Sequence, residues 1–75
     1  MRKILKSSPP PVPNFTSTKV VKLRRKVKAS QSAFGAILNV GKAKVAAWEN
    51  GIRKPRGPEA RLLDIVDRKG LEILF

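Results

Sequence analysis

The sequence predicts an all-α fold, a domain of four to five short helices behind a proline-rich basic arm. Three observations carry that expectation. Apolar residues recur at helical spacing in successive stretches, each stretch is bounded by residues that cap or break helices, and a chain of 75 residues has room for only one small core. With no cysteine, neither a disulfide nor a thiolate metal site supplements that core, which at this size supplies only ~3–5 kcal/mol. Stability must come from well-packed helices or from a partner subunit.

The arm comes first. Ser7 to Asn14 contains Pro9, Pro10, Pro11 and Pro13, which exclude helix interior and central strand, so residues 1–15 are expected to form a flexible extended arm and 16–75 the folded domain. Thr16-Ser17-Thr18 are hydroxyl residues suited to cap a first helix over about 18–28, with Val20, Leu23 and Val27 on its apolar face. Ser30 caps a second helix over 31–38, whose stripe is Ala33, Phe34, Ile37 and Leu38. Asn39 is suited to a left-handed conformation, and with Val40-Gly41 it makes a connector of three residues. The third helix starts at Lys42, buries Val45 and Trp48, turns Lys42, Ala43, Ala46 and Ala47 outward, and closes at Gly51. After the basic loop Ile52 to Gly57, Pro58-Glu59 place a proline and an acid in the first turn of a fourth helix with Leu62, Leu63 and Val66 inward. Lys69-Gly70 end it, and the tail Leu71-Glu72-Ile73-Leu74-Phe75 is too apolar to leave in water.

Charge gives the partner. Seventeen Lys and Arg against five Asp and Glu make a formal charge of +12. Met1 to Trp48 holds eleven of those cations and no acid, whereas Glu49 to Phe75 holds six cations and all five acids, so the charge divides as +11 and +1. A phosphate backbone is the natural counter-ion for such a distribution. No apolar run reaches the ~18 residues of a membrane span, and Met1 to Lys6 runs into prolines without the apolar stretch of a signal peptide. A soluble, cytoplasmic protein with no membrane partner is expected.

The missing residues argue against an enzyme. Without histidine, cysteine or tyrosine, the commonest general base, the soft metal ligands and two usual nucleophiles are absent. The acids Glu49, Glu59, Asp64, Asp67 and Glu72 are interleaved with Arg and Lys and read as helix-surface pairing partners. Gly35 to Ala43 is not a phosphate-binding loop, because five residues separate Gly35 from Gly41-Lys42 and Ala43 has no hydroxyl for magnesium. No cofactor or metal is implied.

Two short helices joined by a three-residue turn, the second opening on outward lysines, have the spacing and chemistry of a helix-turn-helix. The residues Ser30-Gln31, Phe34, Ile37-Leu38, Val45, Trp48-Glu49, Gly51, Arg53-Lys54-Pro55, Gly57-Pro58 and Leu62-Leu63 give the stretch from Val20 to Asp67 a resemblance to the lambda-repressor-like or XRE family, and within it to HigA-type antitoxins. It departs from the family pattern at Asn39, where glycine is usual, and at Gly41, where serine or threonine is usual.

The resemblance implies that Lys42, Ala43, Lys44, Ala46 and Ala47 face the major groove and that Gln31 holds a phosphate or supports the recognition helix. Arg53, Lys54 and Arg56 are expected to clamp phosphates beside them, and Leu71, Ile73, Leu74 and Phe75 to form a two-fold interface, since one such helix covers few base pairs. The implied function is a homodimeric repressor of double-stranded operator DNA, an antitoxin with a small toxin partner that controls its own operon. A phage-type repressor without a toxin is the alternative, and a basic RNA-binding protein is the alternative from another class. The latter is disfavoured because Phe15, Phe34, Trp48 and Phe75 are the only aromatics and form no exposed stacking platform. The arm, with Ile4-Leu5 among Arg2, Lys3 and Lys6, is expected either to order on a toxin or to steer DNA without specificity.

Overall fold

Thr16 starts the folded domain. In the computed structural model, which describes residues 11 and 14–74, its side chain accepts the Lys19 N–H at 3.2 Å and opens helix α1, Ser17–Lys26. Ser30 repeats the device on Ala33 N–H at 3.0 Å and opens α2, Gln31–Leu38. Helix α3, Lys42–Glu49, follows Gly41, and α4, Pro58–Lys69, has its proline in the first turn with Glu59 beside it. A 3-10 turn, Leu71–Leu74, folds back on α4, and the described residues contain no strand. No helix among them is long and apolar enough to cross a membrane. The expected arm lies outside the described residues at 1–10 and 12–13, as does Phe75.

The first three helices end in the same way. The N–H groups of Ala29, Val40 and Ile52 reach back to the carbonyls of Arg24, Gly35 and Ala47 at 3.2, 2.9 and 3.0 Å. Before each stands a left-handed residue, Lys28, Asn39 or Gly51, with φ of 58, 60 and 76°. Asn39 and Gly51 are residues in which that conformation is legible; a lysine is not. The expected first helix over 18–28 is therefore too long, because the chain leaves the helix at Val27 to pass through left-handed Lys28.

The core joins all four helices: Val20 and Leu23 of α1, Phe34 and Leu38 of α2, Val45 and Trp48 of α3, and Ala60, Leu63 and Val66 of α4. Trp48 is 1% exposed, and its Nε1–H is buried without an acceptor among the described residues. That group costs about 1–3 kcal/mol, less than the ~4–6 kcal/mol that burying the ring contributes.

Three expectations about burial need correction. Phe15, assigned to the arm, is 4% exposed and belongs to the core, standing just before the Thr16 cap where an apolar residue fixes the entry of the chain. Ala33 is exposed, because the buried stripe of α2 runs through Phe34, Gly35 and Leu38 and Ala33 lies to one side of it. Glu49 and Asp64 are not surface acids, their side chains being only 7% and 10% exposed. Asp64 pairs with Arg68 one turn on, at 3.0 Å.

Gly35 sets how closely α2 approaches the turn into α3. A methyl group built on it would stand 2.6 Å from both the carbonyl carbon and the oxygen of Gly41, atoms that cannot yield without moving the turn. Gly35→Ala gains ~1 kcal/mol in helix propensity but forces backbone apart at a cost of ~1–3 kcal/mol. The expected outcome is a fall in melting temperature of about 5 °C or more, measured by circular dichroism.

Candidate nucleic-acid interface

The side of the domain that carries the expected contacts is organised by one carboxylate. Glu49, the last residue of α3, accepts Arg24 Nε at 2.5 Å on one oxygen, and Arg24 Nη2 and Gln31 Nε2, both at 3.0 Å, on the other. The third guanidinium nitrogen, Nη1, donates to the Ala29 carbonyl at 3.1 Å. Helices α1, α2 and α3 and the α1–α2 connection thus meet at a single charged cluster in which every guanidinium nitrogen and both carboxylate oxygens are hydrogen-bonded. Arg24 holds the Glu49 carboxyl below the ordinary glutamate range despite burial, with Gln31 adding to the effect, and Glu49 in turn raises Arg24.

Gln31 is consequently a half-buried residue whose amide nitrogen is committed within the protein. Its expected phosphate contact is not part of this arrangement; what the arrangement shows is the link from the first residue of α2 to the last of α3.

Helix α3 sorts its remaining residues by depth. Lys42 and Ala43, in the first turn, are exposed, whereas Lys44, Ala46 and Ala47 are half-buried. Lys44 turns toward α4, where its ammonium donates to Glu59 Oε2. Glu59 also accepts the Arg56 N–H at 3.4 Å, and Lys44, ahead of the other influences, holds its carboxyl below the ordinary range.

The loop after α3 alternates its environment. Arg53, Lys54 and Arg56 are exposed, and Pro55 between them is buried. Pinning the middle of the loop directs the flanking cations into water, and proline's fixed φ lowers the entropy lost in ordering it. Lys44, Arg53, Lys54, Arg56 and Glu59 rim a depression of about 810 Å³ with Trp48 in its lining. Ala43, Lys44, Ala47 and Arg53 border a second of about 330 Å³ with Val40. Ala43, Lys44 and Ala47 of α3 are therefore contiguous with the loop cations, Lys42 and Ala46 line neither depression, and Gln31 is tied to the end of α3 through Glu49.

At the other end, Leu71 and Leu74 are half-buried and pack against the chain's own core. Ile73 is 51% exposed, and Phe75 lies outside the described residues. Of the expected apolar tail, Ile73 is thus the described residue that presents most of its side chain to a partner.

The sequence marks Glu49, Pro55 and Glu59 by position alone; the pairing of Glu49 with Arg24, the pairing of Glu59 with Lys44 and the close approach at Gly35 are what it does not reveal. A signal existed for some of them: Gly35 is a glycine inside a helical pattern, and Glu49 is the first acid in the chain, next to a core tryptophan. Neither protein-family models nor curated proteins match this sequence.

The Arg24–Glu49 pair makes stability depend on acid. Because the native carboxyl is harder to protonate than the unfolded one, its contribution is complete above the unfolded pKa and is lost as pH falls through the lowered native value. Urea unfolding should therefore show stability falling below about pH 4. Glu49→Gln should cost ~3 kcal/mol at neutral pH, by leaving a mostly buried guanidinium unpaired, and should flatten that acid dependence.

Proposed function

We propose that this chain is a double-stranded-DNA-binding repressor of the lambda-repressor-like helix-turn-helix type, a binding protein rather than an enzyme. The observation that carries the reading is the exposed first turn of α3, with Lys42 and Ala43, beside the exposed Arg53, Lys54 and Arg56 of a loop pinned at Pro55, in a chain of charge +12. Helix α3 enters the major groove. The three loop cations hold phosphates on either side, and the alanines of α3 allow close approach and contact with thymine methyl groups.

Burial of Phe15, Phe34 and Trp48 favours duplex DNA over single strands, because these aromatics are withheld from base stacking. The resemblance to HigA-type antitoxins narrows the reading to an antitoxin that represses its own operon as a dimer in the cytoplasm. The arm or the helical body would then contact a small toxin.

Duplex binding measured by fluorescence anisotropy should weaken steeply with salt, as several phosphates are neutralised per subunit. Lys54→Ala should weaken every sequence alike and reduce the salt slope by about one, whereas Lys42→Ala should cost ~1–3 kcal/mol on a preferred site and less on random DNA. Equal losses for Lys42→Ala on both would reduce it to a phosphate contact, and no duplex binding at low salt would overturn the proposal.

The two-fold interface has its own test at the exposed Ile73. Ile73→Glu should leave helical content intact and shift sedimentation from dimer to monomer; a wild-type chain that sediments as a monomer, free and on DNA, would remove the interface.

A further inference from the structure

Glu59 stands among the cations of the expected interface as their only acid. Its carboxylate receives the Lys44 ammonium and the Arg56 backbone N–H, and Arg53 and Lys54 border the same depression. It also sits in the first turn of α4, where the ends of the peptide dipoles favour negative charge. An ammonium, a backbone N–H, flanking guanidinium groups and a helix N-terminus are together the donors that a phosphate oxygen uses. The Lys44 and Glu59 side chains are 35% and 25% exposed, so the pair is accessible to an incoming anion.

We propose that Glu59 is a resident counter-anion that a backbone phosphate of duplex DNA displaces from Lys44, which makes it an affinity- and specificity-determining residue of the interface. The inference rests on the DNA-binding reading above. In a loose encounter held by charge alone, Lys44 stays on Glu59 and adds nothing to phosphate neutralisation. When α3 is fully seated, a phosphate takes the ammonium and Glu59 is released. Random DNA, which holds the domain only loosely, is thereby denied one cation that a well-seated site receives.

The test compares the full chain with Glu59→Gln, Lys44→Met and the double variant, titrated by anisotropy onto a 20-base-pair duplex of random sequence (about two helical turns). Glu59→Gln should bind about tenfold tighter at low salt, with log affinity falling more steeply against log salt by about one unit, the signature of one additional neutralised phosphate. In the Lys44→Met background, the same substitution should gain little. Equal binding by wild type and Glu59→Gln would overturn the inference and leave the DNA reading standing. A gain that persists without Lys44 would do the same, since it would reflect long-range repulsion alone. Failure of wild type and variants to bind any duplex would overturn both. A second measurement needs no variant: the carboxyl-carbon resonance of Glu59, followed against pH in wild type, should titrate at higher pH once duplex is added, because the displaced carboxylate has lost its ammonium and gained a phosphate neighbour. An unchanged titration on bound DNA would also overturn the proposal.

Discussion

A bidentate pair between Arg24 and Glu49 is the constraint on which the arrangement of helices depends. The first 48 residues contain no acid, so Glu49 is the first carboxylate available to α1 along the chain. It is positioned by the helix that buries Val45 and Trp48: Glu49 follows Val45 by one turn, so the seating of Val45 brings the carboxylate against Arg24 and Gln31. Taking both charges out of water costs several kcal/mol, and their attraction offsets that only because the guanidinium uses Ala29 O as well and the carboxylate uses Gln31 as well. Such a cluster adds little net stability over an apolar replacement. Its effect is on geometry, because a slip of α1 or α2 against α3 strands a buried charge.

The rest of the charge follows from how few acids there are. Glu49, Glu59, Asp64 and Asp67 each hold a cation, respectively Arg24, Lys44, Arg68 and Lys26. Among the described residues, no ion pair involves Lys42, Arg53, Lys54 or Arg56, which form the exposed basic edge of α3 and its following loop. The acids thus neutralise cations within and between the helices and leave in water those of the α3 edge and its loop. Lys44 is the intermediate case, borne on α3 yet paired across to α4.

Much of this was legible in the sequence. The caps Thr16 and Ser30, the left-handed Asn39, the proline opening of α4 and the inward Trp48 are each set by local chemistry or by helical spacing, and the three-residue turn between α2 and α3 follows from them. What escaped depends on atoms distant in sequence. Gly35 is required by the backbone of Gly41, a collision that periodicity does not register. Glu49 looks like any acid at a helix end until Arg24, 25 residues earlier, is placed beside it. Lys44 and Glu59 are likewise brought together by the angle at which α4 returns, and Ala33 was misassigned because an eight-residue helix is too short for its stripe to be fixed within one position. Lys28 shows the reverse limitation, a local conformation that its residue type does not advertise.

The position of Glu49 also orders the assembly of the molecule in time. A ribosome emits the chain from its amino end, so the residues through α2 leave it with nine cations and no counter-charge of their own. Arg24 has no carboxylate to close on until α3 is complete, and Lys26 has none at its native position until Asp67 follows, 41 residues after it. The ion pairs of the domain therefore form only late in synthesis: a nascent chain halted before Glu49 contains most of the basic residues and none of the acids that pair with them.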